Sequence, residues 1–168
     1  MPNYRRYYCG TVHFFTVVTH KRRPILTVPK ARSSLRQAIA DCRQRYPFKI
    51  QGWVLLPDHL HCIWELSGED LDYSRRWSML KRRFTQFFAD GQNHHPPFWQ
   101  KRFWAHQITD DRDYENHLNY IHFNPVKHGY ASAPGEWPWT SFHRCVEMGL
   151  YSPNWAESVN IPEKIGRE

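Results

Sequence analysis

Two histidines separated by a single residue, His59 and His61, form the first group of side chains that could do chemistry. On a β-strand, residues i and i+2 point to the same face about 7 Å apart, so both imidazoles can converge on one divalent ion. Leu60 would then pack on the opposite face. Because the chain contains 11 histidines, the pair alone leaves open the alternative of two half-exposed strand histidines.

The second group lies on a predicted helix and centres on Tyr120. His117, Tyr120 and Asn124 fall at i, i+3 and i+7, so they share one helix face, whereas Tyr114 belongs to a separate apolar stripe. We therefore favour Tyr120 over Tyr114 as a nucleophile. A tyrosine hydroxyl reacts poorly at neutral pH because its ordinary pKa is about 10, but a divalent ion that polarises a phosphodiester lowers the barrier. Attack on phosphorus would give a phosphotyrosine whose bond energy is kept for rejoining. The alternative is a half-buried tyrosine that only forms a hydrogen bond.

The elements that would position these groups follow from hydrophobic periodicity and turn residues. Four strands are predicted, over Thr11–Thr19, Phe48–Leu56, His59–Leu66 and Phe98–Ile108, and three helices, over about Lys30–Tyr46, over about Ser74–Ala89, and from an N-cap at Asp110 to Pro125. The order β-α-β-β-α-β is that of the ferredoxin-like split βαβ fold, an α/β (α+β) class in which an antiparallel sheet carries two helices on one face. The third helix is an addition that can cover the other face. We predict one domain over residues 1–168, with an irregular tail from about 131 that contains one short helix.

The net charge favours a polyanionic partner. Of the 168 residues, 23 are Lys or Arg and 16 are Asp or Glu, a formal net charge of +7, and basic side chains bind phosphates with release of counterions. Near the N-terminus, basic side chains stand beside rings that can stack on unpaired bases; they are Tyr4, Arg5, Arg6 and Tyr7. The second helix carries a basic run that could grip a duplex stem, with a solvated helix face as the alternative; it comprises Arg75, Arg76, Lys81, Arg82 and Arg83.

Membrane proteins and disulfide scaffolds are excluded by composition. No apolar run approaches 18 residues, and residues 1–10 lack the apolar segment of a signal peptide, so we expect a cytoplasmic, nucleoid-associated protein without a membrane span. The four cysteines contain no C-x-x-C pair, which indicates free thiols rather than a zinc ribbon or a disulfide framework.

Other histidines are not expected to bind metal, because no pair has the spacing of a structural zinc site. Of the histidines close to the tyrosine, His117 and His122 are expected to approach the catalytic pocket most closely. The expected bystanders are His94, His95, His106, His122 and His128.

Four motifs together resemble a known family. They are the HUH motif (His, bulky hydrophobe, His) at 59–61, Tyr120 followed by the run IHFNPVKHG at 121–129, the N-terminal NYRRYY at 3–8, and WPWTSFH at 137–143. The chain resembles the REP-associated tyrosine transposases, bacterial single-tyrosine relatives of small insertion-sequence transposases that act on single-stranded DNA. The resemblance extends from Asn3 to about Ala156.

The resemblance implies a metal-dependent endonuclease and strand transferase that cleaves and rejoins single-stranded DNA at REP palindromic hairpins through a 5′-phosphotyrosine. By position, His59 and His61 become metal ligands, Tyr120 the nucleophile and Asn124 a third ligand. Relatives often have Gln at that place, and because Asn is one methylene shorter, we expect ligation through water. Mg²⁺ or Mn²⁺ is the implied metal, and the histidine pair favours Mn²⁺. We expect a monomer.

Two other functions remain open. One is a non-catalytic hairpin-binding protein, a repressor or an organiser of palindromic DNA, on the same fold. The presence of both histidines and the tyrosine disfavours it. The other is a hydrolase of a smaller phosphodiester, which the +7 charge disfavours.

Overall fold

The architecture is described from a computed structural model, for residues 10–91, 93–155 and 165. Its elements, in chain order, are β1 (Val12–Val18), a short 3₁₀ turn (His20–Arg22), α1 (Pro29–Arg45), β2 (Phe48–Leu55), β3 (His59–Leu66), α2 (Tyr73–Phe88), β4 (Trp104–Gln107), α3 (Asp111–Lys127), a second 3₁₀ turn (Pro134–Glu136) and α4 (Phe142–Glu147). The strands form one antiparallel sheet in the order β2-β3-β1-β4. The predicted element order and α+β class are confirmed.

The alternation of side chains along β3 separates two layers of core. Leu60, Cys62 and Trp64 pack with α1 and α2 on one face of the sheet. Ile63 packs with α3 on the other face, which is also the face of His59 and His61 because strand side chains alternate. The third helix therefore covers the histidine face, as predicted.

The fourth strand is shorter than predicted. Trp99 forms an isolated bridge with Thr19, but regular pairing with β1 resumes only at Trp104. The chain leaves the sheet between these two tryptophans, so the predicted strand over Phe98–Ile108 is divided.

The third helix begins as predicted and ends later. The Asp110 side chain accepts a hydrogen bond from the Asp113 N–H at 2.8 Å, which caps the first turn. Pro125 lies inside the helix, so the prediction that it ends the helix is wrong. The end is set by Gly129, whose φ of +72° is left-handed, and by a hydrogen bond from the Tyr130 N–H to the Pro125 carbonyl at 2.9 Å. Together they form a Schellman cap.

The residues after α3 pack more regularly than a tail predicted as irregular. Trp137 donates its indole N–H to the Leu55 carbonyl at 3.0 Å, and backbone and side-chain bonds tie Ser141 to Trp53 on β2. These contacts cover the outer edge of β2, an edge that would otherwise expose unpaired backbone groups. The predicted short helix is present as α4. Among the described helices, none is long and apolar enough to cross a membrane. The cysteines of the described part, Cys42, Cys62 and Cys145, are free and buried.

Gly52 allows α3 to approach the sheet closely. It lies at an irregularity in the β2–β3 register, and a Cβ atom there would come within 2.5 Å of Leu118 Cδ1. Since Leu118 is itself buried, we expect Gly52→Ala to lower the free energy of unfolding by about 1–3 kcal/mol. Urea denaturation measures this loss. The control is Gly135→Ala, whose Cβ would lie at an ordinary 3.7 Å from Phe142 and should cost less than about 0.5 kcal/mol. Equal losses for both variants would contradict the close-approach explanation.

Candidate active site

The two histidines of the H-x-H motif lie side by side beneath α3. Both belong to β3, their ring centroids are 4.9 Å apart, and the exposed fractions of His59 and His61 are 1% and 0%. The alternative of two half-exposed strand histidines is therefore wrong. Burying two imidazoles together is costly unless their ring nitrogens have hydrogen-bond or metal partners. The partners of each ring therefore indicate which nitrogen is available to a metal.

Each imidazole is held through its Nδ1 atom. His59 Nδ1 lies 2.7 Å from an Asp58 carboxylate oxygen, and His61 Nδ1 lies 2.9 Å from the Thr16 hydroxyl on the neighbouring strand. Such partners fix the orientation of metal-binding histidines and assign the other ring nitrogen, Nε2, to the metal. The donor set fits a divalent transition-metal ion. Sequence reasoning missed Thr16; its only signal was a hydroxyl in a largely apolar strand.

Asp58 is itself positioned by Arg22, whose guanidinium donates to it at 3.0 Å. Burial acts to raise the pKa of the Asp58 carboxyl, but His59 and Arg22 outweigh burial and hold that pKa below its usual value. Asp58 is therefore ionised at neutral pH and can orient His59.

We expect Asp58→Asn to weaken Mn²⁺ binding by about 10–100-fold, because a carboxylate behind a metal-binding histidine fixes its tautomer and raises its basicity. Isothermal titration with Mn²⁺ measures the change. The matched control is Asp41→Asn, a carboxylate paired with Arg83 on the opposite layer of the fold. Unchanged Mn²⁺ affinity in Asp58→Asn would show that Asp58 does not support a metal ligand.

Tyr120 lies against His61 of the histidine pair. Its ring centroid is 5.2 Å from that of His61, the residue is 3% exposed, and its hydroxyl accepts a hydrogen bond from Lys127 Nζ at 3.1 Å. Tyr114 is buried in the apolar cluster between α3 and the sheet, as the stripe predicted. The face of α3 that carries Tyr120 is buried too, so the helix packs over a wider face than the apolar stripe alone indicated.

The position of Asn124 follows from its neighbours on α3. Tyr120, Asn124 and His128 recur every four residues along one helix face. Tyr120 contacts His61, and the His128 ring lies 5.1 Å from that of His59. The fully buried Asn124 is thus bracketed by two side chains that each contact one histidine. His128, predicted as a bystander, adjoins the site; its spacing from Asn124 was the missed signal.

His122 and His117 were predicted to approach the pocket, but they do not join this group. His122 makes edge-to-face contacts with Phe142 and Tyr151, so the expectation that it approaches the pocket is wrong. Burial lowers its pKa to about 3. His117 contacts the ring of Phe14, which in turn contacts His61. His117 instead forms a second group with His106 and Asp113 that could hold a metal ion.

The predicted DNA-binding residues divide into three cases. Tyr4, Arg5, Arg6 and Tyr7 lie outside the described residues. Arg76 is 1% exposed and donates to the carbonyl oxygens of Asp72 and Pro47 at 2.9 and 3.2 Å. The prediction that the whole basic run lies on a surface is therefore wrong for Arg76, which is a structural residue.

The rest of the basic run lies on α2, on the sheet face opposite the histidine pair. Arg75 donates to Asp70 at 2.8 Å, and Lys81 donates to the Gln100 carbonyl at 2.8 Å. Burial lowers the pKa of Lys81 to about 8. Arg82 is exposed and Arg83 is partly exposed. Any nucleic acid held by this helix would thus lie away from Tyr120.

Comparison with known proteins places these features in a family. Residues 7–124 match the family model described as Transposase IS200 like. A REP-associated tyrosine transposase of Escherichia coli (strain K12) is 44% identical over 160 residues, 95% of this chain and 93% of the relative. A Haemophilus influenzae relative is 38% identical over 98% of both chains. The solved structure of a REP-associated tyrosine transposase bound to a REP hairpin superposes with a TM-score of 0.81 at 41% identity, covering 100% of this chain and 99% of that one. This chain therefore belongs to the IS200-like transposase family and, within it, to the REP-associated tyrosine transposases.

Proposed function

We propose that this protein is a metal-dependent endonuclease and strand transferase that cleaves and rejoins single-stranded DNA at REP-type hairpins through a 5′-phosphotyrosine on Tyr120. The observation that carries the proposal is the contact between the Tyr120 ring and His61 within a pair of oriented histidines. The hairpin substrate is supported by the similar structure, which was solved with a REP hairpin.

The metal would be held by His59 and His61 through their Nε2 atoms, with Asn124 completing the protein ligands directly or through water. Imidazole suits Mn²⁺ better than Mg²⁺, although both retain coordination sites for phosphate oxygens. When bound, such an ion polarises the scissile phosphodiester. Asp58 and Thr16 keep the two rings aimed at it.

Tyr120 supplies the nucleophile. Its hydroxyl oxygen attacks phosphorus, the bond to the 3′ oxygen breaks, and the products are a 5′-phosphotyrosine and a strand with a free 3′ hydroxyl. A 3′ hydroxyl attacking the phosphotyrosine reverses the step and rejoins the strands without ATP. Lys127, whose ammonium lies 3.1 Å from the hydroxyl, stabilises the negative charge that develops on this oxygen as the proton leaves. Because Tyr120, His59 and His61 are almost fully covered, the incoming strand must displace side chains around them.

DNA binding is assigned to two basic regions. Tyr4, Arg5, Arg6 and Tyr7 would contact unpaired bases and their phosphates near the hairpin. Arg75, Lys81, Arg82 and Arg83 would contact a duplex stem, and their place on the opposite face of the sheet means that they hold DNA remote from the scissile bond. The chain would act as one domain over residues 1–168 and as a monomer.

The test is a covalent trapping experiment. The protein is incubated with Mn²⁺ and a single-stranded REP-hairpin oligonucleotide labelled at either end, then separated under denaturing conditions. We expect the fragment 3′ to the cleavage site to remain attached to the protein and the other fragment to carry a free 3′ hydroxyl. Tight hairpin binding without any adduct would favour the non-catalytic hairpin-binding protein instead.

A further inference from the structure

A second group of metal-ligand side chains lies at the start of α3, apart from the proposed active site. His106 comes from the edge strand β4, and Asp113 and His117 are four residues apart on one face of α3. One ligand atom from each residue lies within 4.8 Å of the others. The His106 and His117 rings are stacked, with centroids 4.5 Å apart, so their nitrogens reach the same carboxylate.

The distances within this group are close to those of a metal site. Asp113 carboxylate oxygens lie 2.9 and 3.1 Å from His106 Nε2 and 3.0 Å from His117 Nδ1. In a tetrahedral zinc site with bonds of about 2.0–2.1 Å, ligand atoms stand about 3.3 Å apart. Each Asp113–histidine distance therefore needs to open by only a few tenths of an ångström, and the third ligand-atom separation already lies within 4.8 Å. His117 Nδ1 also lies 2.8 Å from the Asp113 backbone carbonyl, a contact that coordination would replace.

The surroundings of the group also suit an ion. The Thr109 N–H donates to Asp113 Oδ2 at 3.0 Å, which orients the carboxylate as supporting groups do in metal sites. The His106 side chain is 36% exposed, which provides an entry path. Two imidazoles and one carboxylate with room for solvent is the donor set of zinc sites that keep an open position.

We propose that His106, Asp113 and His117 form a second divalent-metal site, of the class that binds Zn²⁺, distinct from the His59 and His61 pair. The two groups are separated by the ring of Phe14, which contacts His117 at 4.7 Å and His61 at 5.5 Å between centroids. One ion cannot serve both. An ion here would link the edge strand β4 to the first turns of α3, the helix that carries Tyr120. It would thereby stabilise the packing of α3 on the sheet.

The test counts bound ions in a chain that lacks the first site. His59→Ala removes one imidazole of that pair, and Co²⁺ titration followed by visible absorption then reports the remaining site, with Zn²⁺ added to compete. We expect His59→Ala to retain one tightly bound ion per chain and a thermal unfolding midpoint that rises with Zn²⁺. The double variant His59→Ala, His106→Gln should lose both the ion and the rise.

Gln107→Ala in the His59→Ala background is the matched control, because Gln107 is exposed and adjoins His106 on the same strand. It should retain the ion. Because His106 is partly exposed, its replacement should not disturb core packing. His117→Gln is a second variant that removes a ligand of the proposed site. If His59→Ala binds no Co²⁺, or if His106→Gln binds as much as its parent, the second site is refuted, whereas the proposed cleavage is tested separately by the covalent adduct.

Discussion

Tyr120→Phe is expected to eliminate the covalent protein–DNA adduct and to lower strand cleavage by at least about 10³-fold, because the attacking oxygen is removed and no other group replaces it. Phenylalanine retains the ring contacts with His61 and Phe14, so the fold is preserved. Hairpin affinity and the thermal unfolding midpoint should therefore stay near those of the unmodified protein. Denaturing gels quantify the adduct, and fluorescence anisotropy with a labelled hairpin measures binding.

Tyr114→Phe is the matched control, since it removes a hydroxyl from the same helix six residues earlier. Cleavage should remain within about threefold of the unmodified level, the size of a neutral change remote from the chemistry. If Tyr114→Phe abolishes the adduct and Tyr120→Phe leaves it, the nucleophile is Tyr114 and the proposed geometry is incorrect. Loss of hairpin binding in Tyr120→Phe would show that the tyrosine binds DNA rather than cleaving it.

Hydrophobic periodicity was sufficient to predict which candidate site residues share a face when they lie on the same strand or the same helix. Strand alternation placed His59 and His61 on one face, and helix spacing placed Tyr120 with Asn124. Both rules are local, because side-chain direction in a regular element repeats every two or 3.6 residues. His128 follows the same helical rule, but it lies beyond Pro125, where the predicted helix ended. One incorrect helix end therefore concealed a residue that adjoins His59 of the proposed metal site.

The contacts that sequence reasoning missed depend on pairing between distant segments. Thr16 supports His61 because β1 and β3 pair in a register that sets these two residues opposite each other, and no local pattern specifies that register. Arg76 had the spacing of a surface cation, but its guanidinium fills the space between α2 and the Pro47 carbonyl. Charge in a sequence indicates a solvated side chain only where no buried acceptor is near.

Removing one proposed metal ligand is expected to separate cleavage from DNA binding. His59→Ala and His61→Ala are each expected to lower adduct formation by more than about 10²-fold, because one lost ligand weakens both metal affinity and phosphate polarisation. Hairpin affinity should change little, since the proposed DNA contacts are basic and aromatic side chains elsewhere. Chelation of divalent ions from the unmodified protein should produce the same separation, and added Mn²⁺ should restore cleavage.

His143→Gln is the matched control for this experiment, because its exposed imidazole contacts the Trp137 carbonyl outside the site. It should retain full cleavage at the same Mn²⁺ concentration. Since His61 is completely buried, thermal unfolding must first show that each variant is folded. A titration with Mn²⁺ up to excess then distinguishes a lost metal ligand from a structural defect. A lost ligand raises the Mn²⁺ concentration needed for half-maximal cleavage, whereas a purely structural role leaves that concentration unchanged. Full adduct formation by both variants under chelation would exclude metal-dependent cleavage at this pair.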